Sequence, residues 1–185
     1  MFKLSILSTL LVAGLFLGGC SSSEKSEDAN ALLSSNEFVL TTLQKSQIIL
    51  QKSPEGFKLN SPEAKLLILD IFATWCPPCQ AEASHLASLQ EKYGDDILIV
   101  GVSIEEGIAD SKLEDFRQTY GANYTLVNSN ENGRLVDSVA KKLKLGSNFG
   151  IPLLAIYKDG KLVQYYQGAV EEEFIESDIK RALGI

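Results

Sequence analysis

The chain is short of the residues that staple a fold, ligate metals or bind polyanions. Among 185 residues there are three cysteines, one histidine, one tryptophan and one methionine. Three cysteines (Cys20, Cys76 and Cys79) are too few for a disulfide framework. A closed zinc site wants four ligands, and Cys76 and Cys79 with His85 and no second cysteine pair fall short, so no metal is expected. Positive charge is also scarce. Seventeen Lys and Arg face 24 Asp and Glu, a net charge of −7, which argues against a nucleic-acid partner. The apolar run from Leu7 to Leu17 is shorter than the roughly 20 residues that span a bilayer. No internal repeat is present. What the chain does have is a 45% share of hydrophobic residues, enough for one domain with a real core and, at this length, not for two.

Lys3 precedes that apolar run and Gly18-Gly19 follow it, so residues 1–19 have the layout of a secretory signal peptide. Leu17-Gly18-Gly19-Cys20 resembles a bacterial lipobox, which implies cleavage before Cys20 and acylation of its thiol and new amino group. The alternative is an ordinary signal peptide with an incidental cysteine. Several acyl chains hold a protein stably on a membrane, because each buried methylene contributes about 0.8 kcal/mol. Cleavage removes one lysine and takes the charge from −7 to −8. Residues 21–36, rich in Ser and charge, cannot bury enough surface to offset ordering entropy and read as a flexible tether with a reach of roughly 20 Å. The folded domain is expected over 37–185.

Within it, Phe38 to Leu43 and Gln47 to Gln51 are β-favouring stretches that can pair as an N-terminal hairpin. Leu66 to Phe72 is a continuous apolar run broken only by Asp70, the pattern of a strand buried on both faces. The segment from Cys76 to Tyr93 reads as a helix ended by Gly94, with Leu86, Leu89 and Tyr93 on one face. Ile97 to Ser103 is a second buried strand. Ser111-Lys112-Leu113-Glu114 reads as a capping box opening a helix that Gly121 ends. Tyr124 to Val127 is a short strand, and Val136, Val139, Ala140 and Leu143 give the next helix its apolar face. Leu153 to Tyr157 and Leu162 to Tyr166 flank Asp159-Gly160, a strong hairpin signal. A last helix turns Ile175, Ile179 and Ala182 inward. Strands alternating with helices and closing in a hairpin and a helix predict an α/β fold, a three-layer sandwich on a mixed central sheet.

Trp75-Cys76-Pro77-Pro78-Cys79 stands where the buried strand turns into the helix. A two-residue spacer there brings both sulfurs within disulfide range and sets the first cysteine at the helix dipole's positive end, among unpaired N–H groups. Those groups favour a thiolate, so Cys76 is the expected nucleophile at the exposed end and Cys79, one turn in, the more buried resolving thiol. Pro77 is tolerated because first-turn N–H groups have no helical partner.

On these residues the chain resembles the thioredoxin superfamily, and Leu66–Glu82, LLILDIFATWCPPCQAE, is most similar to its membrane-anchored TlpA/ResA-type branch. The resemblance runs from about Leu66 to the C-terminus and includes Gly150-Ile151-Pro152 before the closing hairpin. It implies a thioredoxin-like domain whose Ile151-Pro152 bond is cis, beside the cysteine pair, with Ile151 pairing its backbone to substrate; the trans preference before proline is only about 0.5–1 kcal/mol. It gives two rival proton carriers for Cys79. Asp70 matches the buried acid of thioredoxin, and an acid in an apolar strand has a raised pKa; Glu82 matches an acid recurring near TlpA/ResA-type active sites. Each also has a plainer reading, Asp70 as a strand-end acid facing water and Glu82 as an exposed helix residue. Ser84 stands where relatives often have proline and Leu153 where they usually have threonine. Trp75 reads as a shield and docking surface or as a structural aromatic, and His85 as a solvated helix residue.

The resemblance implies a thiol–disulfide oxidoreductase needing no cofactor beyond its Cys76–Cys79 disulfide: an exported, membrane-anchored reductase of protein disulfides, facing the periplasm or cell exterior. Apocytochrome c is the implied substrate and a thiol-transferring membrane protein the electron donor. An oxidant or isomerase uses the same motif, because spacing does not set direction. A metal-binding lipoprotein and a thiol peroxidase are the other classes open to this sequence.

Overall fold

The computed structural model describes residues 36–60 and 64–185. The signal segment, Cys20 and most of the tether lie outside the described residues. Strands β1 (Glu37–Thr41), β2 (Gln47–Ser53) and β3 (Gly56–Leu59) form an antiparallel sheet in that order. The expected hairpin is thus a three-stranded sheet. Gly56-Phe57-Lys58-Leu59 is too short to show alternation by itself, but Phe57 is fully buried and packs edge-on to Tyr157, with ring centroids 5.5 Å apart.

The central sheet has the order β6-β5-β4-β7-β8, with β4 (Leu66–Phe72), β5 (Ile97–Ser103) and β6 (Thr125–Val127) mutually parallel. β7 (Leu153–Lys158) and β8 (Lys161–Gln167) are antiparallel to their neighbours, which makes the sheet mixed as expected. Asp159 and Gly160 both have positive φ, 50° and 80°, as the tight turn between β7 and β8 requires. Among the described residues the α-helices, in chain order, are α1 (Pro77–Tyr93), α2 (Asp110–Tyr120), α3 (Asn132–Lys142) and α4 (Glu172–Leu183).

Every residue of β4 is buried, because both faces of the strand are covered. Leu66, Ile68 and Phe72 face a core built with Leu86 and Leu89 of α1, Leu113 and Phe116 of α2, and Ile175 and Ile179 of α4. Leu67, Leu69 and Ile71 face the opposite core, built with Phe38, Leu40, Leu50 and Phe57 of the small sheet and Leu135 and Val139 of α3. By the two-residue period of a strand, Asp70 shares the face of Ile68 and Phe72, the side where α1 and its cysteines lie. The small sheet also covers an edge. Asn128 N–H donates to Thr41 O at 2.8 Å and Leu43 N–H to Leu126 O at 3.1 Å, so the chain after β1 lies along β6.

One helix start differs from expectation. α2 begins at Asp110 with Ala109 as its N-cap, and no side chain caps it. Glu114 does not reach back toward Ser111; it accepts from Arg117 Nε at 2.8 Å and Gln118 Nε2 at 2.7 Å. Asp110 joins the start of α2 to its surroundings instead, accepting from Asn128 Nδ2 at 2.6 Å and from Lys45. Gly94 and Gly121 end α1 and α2 with φ of 51° and 68°, as read from sequence. Ser84 lies on the exposed side of an unbroken α1, and Leu153 is buried at the start of β7.

Candidate active site

The end of β4 delivers the chain into a turn, Ala73 to Cys76, closed by a Cys76 N–H to Ala73 O bond of 3.2 Å. Cys76 is the N-cap of α1, with extended backbone, and Pro77 and Pro78 occupy the first turn, where the missing N–H groups cost nothing. Cys76 and Cys79 form a disulfide with Cα atoms 5.3 Å apart. Its position at the N-terminus of α1 sets the pair at the positive end of the helix dipole, a position that favours the thiolate form of a free cysteine.

Exposure does not divide the two cysteines. Both are only 3% exposed, so the expectation of an open Cys76 and a buried Cys79 is corrected. Cys76 Sγ lies 3.8 Å from the carbonyl oxygen of Ile151, under the neighbouring loop, and the open surface of the motif belongs to Trp75, 61% exposed, with Pro77 and Pro78. The Ile151-Pro152 bond is cis, Pro152 is buried and Ile151 half-buried. Pro152 O accepts Gly168 N–H at 2.8 Å, tying that loop to the end of β8.

Asp70 and Glu82 are both buried, so neither plainer reading of them, facing water or lying exposed on the helix, describes this structure. Asp70 Oδ2 accepts the Tyr124 hydroxyl at 2.7 Å, and Glu82 Oε1 accepts Val170 N–H at 3.2 Å. Asp70 Oδ1 and Glu82 Oε2 are buried without a hydrogen-bond partner among the described residues. Burial pushes the Asp70 carboxyl up to about 7, against the opposing Tyr124 bond. Burial first, and then the charge of Asp70, push Glu82 up to about 8, against the Val170 N–H. Two buried carboxyls that repel each other's charge cannot both ionise cheaply, so the pair holds a proton near neutral pH.

Tyr124, Val170 and Glu105 escaped the sequence reading. Tyr124 looked like the start of a strand, and nothing in its neighbours marks a partner 54 positions away. Glu105 follows β5 as an ordinary charged loop residue, yet its carboxylate accepts Thr74 N–H at 2.7 Å. His85 is half-buried with Nδ1 enclosed and unpaired among the described residues, unlike the solvated residue expected. Among the described residues no group of three or more His, Cys, Asp or Glu is placed to hold a metal ion.

Comparison with known proteins gives this arrangement a lineage. The Redoxin family matches residues 42–183. Thiol-disulfide oxidoreductase ResA of Halalkalibacterium halodurans is 26% identical over 127 residues, covering 66% of this chain and 65% of the relative, so the chain spans just under two thirds of that protein. ResA of Bacillus cereus is 26% identical over 180 residues, covering 96% of this chain and 91% of the relative. A secreted Mycobacterium tuberculosis disulfide oxidoreductase, described as homologous to E. coli DsbE, has a similar fold, with a TM-score of 0.55 at 16% identity over 80% of this chain and 98% of that one. With a cysteine pair at the start of α1, a cis proline beside it and a family match over most of its length, the chain belongs to the Redoxin family.

Proposed function

We propose that the protein is an extracytoplasmic disulfide reductase, tethered to a membrane through a lipidated Cys20. The observation that carries the thiol-exchange reading is the pair of buried carboxyls, Asp70 and Glu82, raised to about 7 and 8, and the reductive direction is supported by the similarity to ResA-type proteins. Reduction begins when the Cys76 thiolate attacks one sulfur of a substrate disulfide, forming a mixed disulfide and expelling the other sulfur as a thiolate. Cys79 must then lose its proton before it can attack Cys76 Sγ. A free thiol titrates near 8.5, so a carboxylate whose own pKa is about 7 or 8 is close enough to accept that proton reversibly, whereas an ordinary carboxylate near 4 is too weak a base. Attack by Cys79 closes the internal disulfide and releases the second substrate thiolate; the substrate gains two electrons and the enzyme pair loses two. A dithiol donor, a thiol-transferring membrane protein on this reading, returns the site to its reduced form.

Ile151, beside the cis bond, and exposed Trp75 frame the approach to Cys76 and suit docking of an extended peptide. The similarity to ResA-type proteins supports protein disulfides as the substrate class, with the haem-binding cysteines of cytochrome c precursors as the specific case. The secreted relative and the lipobox at Leu17–Cys20 support placement outside the cytoplasm.

The deciding measurement is the reduction potential of the domain from about Ser34 onward, equilibrated against glutathione or dithiothreitol with thiols counted by alkylation. A value near or below about −250 mV supports the reductase; one near −120 mV overturns it in favour of an oxidant. The anchor has a separate test. Cys20→Ala is expected to release the full-length protein from membranes, and continued tight attachment would refute lipidation there.

A further inference from the structure

β4 and β5 run parallel in a register that ends at Phe72 opposite Ser103, and Ile104 N–H still donates to Phe72 O at 3.0 Å. Continued by two residues, that register sets Thr74 opposite Glu105. Here the ladder changes its chemistry. The Thr74 N–H is taken by a side-chain carboxylate in place of a backbone carbonyl, with Glu105 Oε2 at 2.7 Å, and the Thr74 hydroxyl lies 2.8 and 3.1 Å from the two carboxylate oxygens. Glu105 is held in turn. Lys112 Nζ donates to Oε1 at 2.7 Å, Ser103 Oγ lies 3.3 Å from Oε2, and Glu105 N–H donates to Ser103 Oγ at 3.1 Å. Burial acts to raise its pKa, but the Lys112 and Thr74 bonds outweigh that and hold it below the usual range, so the carboxylate stays ionised at neutral pH. On the other side of Thr74, its carbonyl accepts Gln80 Nε2 from α1 at 2.8 Å.

Thr74 is therefore gripped at both ends by side chains, one from the loop after β5 and one from α1, immediately before Trp75 and Cys76. We propose that Glu105 is a positioning residue: by anchoring Thr74 it presets the turn that presents Trp75 to a protein substrate. The inference rests on the oxidoreductase reading and adds a determinant of substrate docking to it. Glu105 takes no part in the sulfur chemistry, which depends on the start of α1 and the buried acids. A small disulfide needs only access to Cys76 Sγ, while a protein disulfide must also lie across Trp75 and Ile151. Loosening the turn penalises the second kind of substrate and spares the first.

The test compares Glu105→Ala, Glu105→Asp and Glu105→Gln in the full-length protein, with insulin as the protein disulfide under dithiothreitol, and with 5,5′-dithiobis(2-nitrobenzoate) as the small disulfide added to pre-reduced protein freed of dithiothreitol. Losing a partner for the buried Thr74 N–H is expected to raise KM for insulin about tenfold in the Ala and Asp variants, with kcat and the rate on the small disulfide changed less than about twofold. Gln keeps an oxygen at the same reach and is expected to restore KM to within about twofold of wild type. A Gln variant as poor as Ala overturns the proposal, since charge and not geometry is then responsible. So does an unchanged KM in both Ala and Asp, or an equal loss on the small disulfide. If the Ala variant does not fold, the Asp and Gln pair carries the same comparison. Wild-type protein inert toward both disulfides would overturn the oxidoreductase reading itself, and this inference with it.

Discussion

Asp70 is the residue whose burial has the widest consequences. Its ordinary value is 3.8, and folding raises it to about 7. The folded chain thus holds a proton that the unfolded chain releases, so stability is fully present below about pH 4 and is lost as pH rises toward 7. Each unit of pH in that window is worth about 1.4 kcal/mol per group. Asp70→Asn removes the effect while keeping an oxygen for the Tyr124 hydroxyl, so its stability relative to wild type is expected to improve by on the order of 2 kcal/mol between pH 5 and pH 7. Urea unfolding of the oxidised protein across that range checks it; a difference independent of pH would show that Asp70 does not hold its proton. The same substitution is expected to slow thiol exchange near neutral pH. Tyr124→Phe keeps the acid but removes a bond that lowers its pKa, so it is expected to move the midpoint of the exchange-rate profile to higher pH. The sequence disclosed an acid inside an apolar strand. It did not disclose Tyr124, whose contact with Asp70 exists only because β6 lies in the same sheet, next but one to β4.

At the scale of elements, β5 shows how closely the sheet is fitted under the site. Gly101 pairs with Asp70, and a Cβ placed there would stand 2.6 Å from Leu126 Cδ2 and 2.9 Å from the Tyr124 ring. Gly101→Ala is expected to cost about 1–3 kcal/mol by overpacking, read from chemical denaturation, and to push Tyr124 away from Asp70. The start of α2 gives a sharper contrast between sequence and structure. A capping box would make Ser111 the critical residue, whereas Asp110 is the one bonded to Asn128 and Lys45. Ser111→Ala is therefore expected to leave the unfolding midpoint unchanged and Asp110→Ala to lower it; the reverse order would restore the capping box. Short-range patterns located the helices, their glycine ends and the Asp159-Gly160 turn well, because those depend on local backbone preference. The helix start was misplaced because a capping residue is chosen by what lies across from it, and Lys45 and Asn128 are far away in sequence.

For the whole molecule, the small N-terminal sheet is the part whose importance sequence understated. Phe38, Leu40, Leu50 and Phe57 are all fully buried against the central sheet. At about 1.5–3 kcal/mol each, they contribute as much as the entire net stability of a typical domain, roughly 5–15 kcal/mol. A chain beginning at Lys65 is accordingly expected to aggregate or bind 8-anilinonaphthalene-1-sulfonate, with Leu67, Leu69 and Ile71 uncovered; cooperative unfolding near the wild-type midpoint would contradict this. By itself the sequence determined the α/β class, the order of nearly every element, and the placing of a cysteine pair at a strand-to-helix turn. These are legible because hydrophobic period, glycine and proline act over a few neighbours. Only the tertiary structure decided that Cys76 is as enclosed as Cys79, that Asp70 and Glu82 are both buried with the charge of one acting on the other, and that Glu105 grips the turn before the cysteines. Burial and pKa depend on what the rest of the chain brings alongside, and no local pattern encodes that.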